Sequence, residues 1–164
     1  MTELALIPSP DHPGVYTLDG VGELRTKADG WIKQSATLVA GDGRSWEIGR
    51  QGIRQRVVIT DPAGGEPARL AHGTLRRGGT LEVDGDGAYE LRPASKFKQR
   101  LKLSRDGREL AILEGGWTAS GIVDVDLQDG AGVDALVLLS ACWLVKVYAE
   151  AGAAAARGQL ISDG

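Results

Sequence analysis

Residues 133–151 run Val-Asp-Ala-Leu-Val-Leu-Leu-Ser-Ala-Cys-Trp-Leu-Val-Lys-Val-Tyr-Ala-Glu-Ala. The stretch is apolar around its whole helical circumference rather than along one stripe. A helix of that kind has to be enclosed, by protein or by lipid. Its uncharged part, 135–145, covers roughly 16 Å at 1.5 Å per residue, about half of a bilayer core, and extending it past Lys146 to Ala149 reaches only about 22 Å. Length therefore favours a core helix over a membrane span. Asp134 near its start and Lys146 toward its end complement the helix dipole. Cys142 and Trp143 fall inside the enclosed part and read as packing groups.

What encloses the helix is legible upstream. The 24 glycines are scattered between short apolar runs instead of gathered into a linker, which argues for many turns. Strand-like stretches fall at 31–40, 45–49, 54–61, 67–76, 81–83, 88–92, 97–104, 109–114 and 117–127. Asp86-Gly87 and Asp106-Gly107 are the strongest hairpin signals, because a two-residue type I′ turn needs two positive φ angles. Pro8, Pro10 and Pro13 withhold donors from any central ladder, so residues 1–20 are expected to be an irregular N-terminal segment. The barrel domain is expected over 21–151, with the helix at 133–151 and a C-terminal tail at 152–164.

The strands repeat. Trp46-Glu47-Ile48 followed by Gln55-Arg56-Val57 recurs about 43 residues later as Tyr89-Glu90-Leu91 followed by Gln99-Arg100-Leu101. With a short gap, residues 67–73 then align with 109–115. Two copies are too few for a propeller or solenoid. The expected fold is mainly β: an antiparallel barrel of two related meanders around a buried hydrophobic C-terminal helix.

Charge narrows the function. Lys and Arg total 19 against 22 Asp and Glu, which removes the broad positive field that non-specific nucleic-acid binding needs. Cys142 is the lone cysteine, so there is no internal disulfide, and residues 4–7 are too short an apolar run for a secretory segment. The expected setting is cytoplasmic, at most peripheral to a membrane, with no nucleic-acid partner and no transmembrane span.

A run of antiparallel strands ending in a hydrophobic helix resembles the tubby-like C-terminal barrel superfamily, which includes tubby proteins, phospholipid scramblases and LURP-one-related proteins. The likeness is strongest where an aromatic-led strand, Tyr89-Glu90-Leu91, precedes Phe97-Lys98-Gln99-Arg100-Leu101 and Asp106-Gly107-Arg108-Glu109-Leu110-Ala111. The resemblance implies a 12-stranded barrel wrapped around the C-terminal helix, and a non-enzymatic binding or scaffold module whose ligand is an anionic phospholipid or phosphoinositide. The alternative is a protein-interaction or structural domain with no small ligand.

Lys96, Lys98, Arg100 and Lys102 alternate with Phe97, Gln99, Leu101 and Leu103, so a strand here puts four cations on one face. The repeat sets Arg54 and Arg56 on the corresponding strand. Were the two strands neighbours, Arg54, Arg56, Lys96, Lys98, Arg100 and Lys102 would form one face for an anionic ligand; the plainer reading is a solvated outer wall. Gly130-Ala131-Gly132-Val133-Asp134-Ala135 superficially matches a dinucleotide fingerprint, but no βαβ unit surrounds it, and its glycines are better suited to turning the chain from wall to centre. Asp124 to Gly130 lacks the glycine and glutamate of a calcium loop. With two distant histidines, His12 and His72, and no nucleophile elbow or zinc helix, no catalytic residues, metal or cofactor are expected. An enzyme using Asp124 and Asp126 would need them to share a pocket.

Overall fold

The computed structural model describes residues 1–26, 35–51, 56–74, 78–94, 99–115 and 122–147, without the side chains of 72–74 and 99. Twelve strands form a closed antiparallel barrel: β1 (Thr2–Pro8), β2 (Val15–Leu18), β3 (Gly22–Thr26), β4 (Ser35–Ala40), β5 (Ser45–Gln51), β6 (Arg56–Thr60), β7 (Ala68–Thr74), β8 (Gly78–Val83), β9 (Gly87–Pro93), β10 (Gln99–Arg105), β11 (Arg108–Gly115) and β12 (Val123–Leu127). Each pairs with its sequence neighbours, and β1 closes the wall against β12, with Leu4 opposite Val125. The helix α1 occupies residues 135–147 among those described.

The period-2 pattern of the strands puts one set of side chains inside and the other outside. Leu24, Leu38, Ile48, Ile59, Leu81, Leu91, Leu103 and Leu113 are buried within, and α1 fills the interior with Leu136, Val137, Leu139, Trp143 and Val147. Every α1 residue from 136 to 147 is buried, as an all-round apolar helix requires. No helix among the described residues is long and apolar enough to cross a membrane. The outer wall carries Glu3, Arg56, Lys102 and Asp124, so the barrel has an apolar inside and a charged outside, the reverse of a barrel that faces lipid.

The first eighteen residues are not irregular as the prolines suggested. Thr2–Pro8 and Val15–Leu18 are wall strands, and Pro8 ends β1, where a missing donor costs the ladder nothing. Gly22–Thr26 was likewise not anticipated as a strand; Gly22 is needed there because a side chain would collide with the Val39 carbonyl.

Asp106 and Gly107 have φ of 51° and 79°, as a type I′ turn demands. At the other predicted hairpin, positive φ falls on Gly85 and Gly87, so the turn occupies 84–86 and Gly87 already pairs with Val83.

The 43-residue repeat becomes geometric in the closed barrel. It superposes β5 on β9 and β6 on β10, a shift of four strands in twelve, or one third of a turn around the wall. Its aromatic leaders, Trp46 and Tyr89, both point inward and are buried.

Because neighbouring strands alternate in direction, connections alternate between the two ends of the barrel. One end collects residues 19–21, 41–44, 61–67, 84–86, 106–107 and the 128–134 lead into α1. Gly130 and Gly132, at φ of 70° and 62°, turn the chain there from β12 toward the axis. The other end collects the remaining hairpins, of which only 9–14, Ala94 and Ile122 are among the described residues.

Candidate functional site

Arg54, Lys96 and Lys98 lie outside the described residues. The other three predicted cations are on the outer wall. Arg100 donates to Glu114 of the adjacent strand at 2.9 Å, whereas Arg56 and Lys102 are exposed. The six do not form one face. β7, β8 and β9 stand between β6 and β10, a consequence of the four-strand repeat, and put Arg56 and Lys102 about a third of the circumference apart.

The described segment ends Gln51, Arg56, Ala94 and Gln99 emerge at the end opposite the short turns. Arg25, Arg50, Arg56, Arg92 and Arg100 also sit within two residues of strand termini there, against Asp11, Glu114 and Asp124.

Arg50 differs from the rest. It alternates with Trp46 and Ile48 and stands opposite buried Val57, so its Cβ points into the barrel. Its Nε, like that of Arg100, is buried without a hydrogen-bond partner among the described residues, and burial lowers the Arg50 guanidinium pKa. Deeper on the same side, Lys146 is 5% exposed, with its ammonium 3.9 Å from the centre of the Tyr16 ring, a cation–π contact in low dielectric.

The opposite end is acidic. Each of its six connections carries at least one carboxylate: Asp19, Asp42, Asp61, Asp84, Asp106 and Asp134. Two clusters close it. Arg44 donates to Asp134 at 2.8 Å and to Asp42 at 2.8 Å while lying over Trp46, so a turn of the wall is tied to the first turn of α1. Arg44 holds the Asp134 carboxyl below the usual range, helped by the Ala135 and Leu136 amides that it caps. The Arg44 amide, with its guanidinium, does the same for Asp42.

On the far side of the rim, the Tyr89 hydroxyl donates to Asp86, and Arg105 donates to both. Burial raises the Tyr89 pKa, with Asp86 adding to it, while the Tyr89 hydrogen bond and Arg105 lower that of Asp86.

A groove of about 750 Å³ crosses the outside of β2–β4 at this acidic end, beside Val133 and Ala135. Its arginines are already neutralised, Arg25 by Glu23 at 2.8 Å and Arg44 by its two aspartates. None of the predicted cations lines it.

No family model, curated protein or solved structure matches this chain. Asp124 and Asp126 project from the outer wall of β12, and neither lines the groove. His12 is exposed in the β1–β2 connection. Among the described residues no group of three or more His, Cys, Asp or Glu side chains is placed to hold a metal. Cys142 is fully buried, and desolvation pushes its thiol up to about 12, far from a reactive thiolate.

Proposed function

We propose that this barrel is a non-enzymatic module that docks end-on to an anionic phospholipid or phosphoinositide surface, cytoplasmic and peripheral to the membrane. The observation that carries this reading is the segregation of charge along the barrel: aspartates in every connection of one end, arginines at the strand termini of the other. A particle so polarised is turned by an anionic surface until its acidic end faces away, and each cation near such a surface contributes about 1 kcal/mol. The inward Arg50, with a buried donor that has no acceptor among the described residues, supports a headgroup phosphate as its natural partner. The resemblance to the tubby-like superfamily points to the same ligand class.

A second reading, a protein-interaction domain with no small ligand, is favoured by one specific contact. Arg100, central to the predicted basic strand, already spends its charge on Glu114.

Flotation with neutral and phosphoinositide-containing vesicles separates the two. The docking reading expects flotation with anionic vesicles only, weakened by salt and lost when Arg50 and Arg56 are replaced by Gln. Protein that remains at the bottom with every vesicle sinks the lipid reading and leaves the second.

A further inference from the structure

The basic strand and the paired aspartates acquire a joint meaning from the strand order. β10 presents Arg100 and Lys102 outward, β12 presents Asp124 and Asp126, and β11 lies between them. Lys102 is level with Ile112, and Ile112 with Asp126; Arg100 is level with Glu114, and Glu114 with Asp124. The first row extends on both sides, because Arg92, itself paired with Glu90 at 3.2 Å, is opposite Lys102 and Glu3 is opposite Asp126. Read across five strands it is Arg92, Lys102, Ile112, Asp126, Glu3.

The sign of the charge inverts about Ile112. Like charges directly opposite one another weaken a sheet, and interleaving these four would have made ion pairs within the wall. The chain gathers them by sign instead, and among the described residues Lys102, Asp124 and Asp126 take part in no hydrogen bond or ion pair.

A pattern that inverts about its centre is complementary to itself. We infer that this wall is the contact face of a homodimer whose two-fold axis lies in the contact plane, parallel to β11 and passing by Ile112. That operation exchanges the two flanks, so Lys102 faces Asp126 of the second copy and Arg100 faces Asp124 of the second copy, each pair occurring twice. Ile112, half-buried in the monomer, meets its own copy at the axis. Glu114 also meets its copy there, with its charge already matched by Arg100 at 2.9 Å. An axis perpendicular to the strands would oppose cation to cation, so the charges select one orientation. The wall is convex and each pair has one exposed and one half-buried member, so the dimer is weak and held by steering charges that salt screens.

The inference does not depend on lipid binding, and its test contains none. Sedimentation equilibrium of the full chain at low salt should give a mass that climbs with concentration toward twice the 17.3 kDa monomer, and the monomer mass at high salt. Lys102→Glu alone and Asp126→Lys alone should each abolish the dimer, since each leaves like charges facing across the axis. Mixing the two variants in equal amounts should restore it, because the exchanged charges then face each other. Wild type that keeps the monomer mass at low salt throughout the concentration range overturns the inference. So does a mixture that stays monomeric although both variants melt as wild type does.

Discussion

The two ends of the barrel solve the same structural problem with opposite materials. At the acidic end, short turns converge on the start of α1, and the arginines there are consumed locally: Arg44 by Asp42 and Asp134, Arg69 by Glu66 and Asp84, Arg105 by Asp86. At the basic end, Arg25, Arg92 and Arg100 are paired in the same way with Glu23, Glu90 and Glu114, whereas Arg50 and Arg56 make no such pair among the described residues, and Arg50 keeps an unsatisfied donor below the surface. Charge used internally holds a fold together, and charge left over is available to something else. The contrast separates the residues that maintain this molecule from those that can recognise a partner.

The largest effect should come from the element that joins the ends. Trp143→Ala removes a fully buried ring from the middle of α1 and should cost about 3–5 kcal/mol in urea denaturation, without favouring either end. A loss under about 1 kcal/mol would mean that the interior is far looser than its burial indicates.

Next, Arg50→Gln with Arg56→Gln should weaken anionic-vesicle binding by about 2 kcal/mol, roughly 30-fold, while leaving the unfolding midpoint nearly unchanged. Arg108→Gln, an exposed cation at the acidic end, is the matched control and should leave flotation intact. Equal effects at both ends would abolish the functional contrast.

The reverse pattern is expected at the acidic end. Asp134→Ala loses a helix cap and an ion pair that is largely exposed, and should cost about 1 kcal/mol of stability with no change in vesicle binding. Its carboxyl is held below the usual range in the folded state, so its contribution is present above about pH 4, the unfolded value, and disappears as pH falls through the folded one. Acid melting should therefore be shallower in the variant than in wild type, as followed by circular dichroism.

The smallest effect, at about pH 8.5, is at the alkaline side. The Cys142 thiol, raised to about 12 when folded, favours the native state below its unfolded pKa of about 8.5 and loses that contribution as pH climbs toward 12. Cys142→Ser should flatten the alkaline decline slightly. Wild-type protein should resist thiol reagents at neutral pH until it unfolds.

Much of the wall was readable because its side chains alternate cleanly between apolar and polar, as in Trp46-Glu47-Ile48 and Tyr89-Glu90-Leu91. The helix was readable because nothing on its circumference welcomes water. Residues 1–26 were not, since Pro8 and Pro10 signal irregular chain as strongly as they signal a strand end, and β2 and β3 are only four and five residues long.

The site was harder. Spacing correctly alternated Arg100 and Lys102 on one face, but adjacency of β6 and β10 depended on the strand order, which the repeat alone does not supply. Arg50 was missed although the signal existed. Continuing the alternation of Trp46 and Ile48 by one more step puts an arginine on the inner face, where a charge has few structural uses. The pairing of β10 with β12 across β11 required the register itself.

The closure of the barrel also has a temporal side. Its first strand is completed by its last, and the helix that occupies its centre is the last described element of the chain. During synthesis the wall therefore emerges before anything exists to fill it, and its inner leucines have no proper neighbours until residues beyond 133 are available. Pairings this distant in sequence fold slowly and leave apolar surface exposed meanwhile. A nascent chain of this design depends on α1 for the act of closing, and interrupting translation before that point leaves a sheet with a greasy face and no interior.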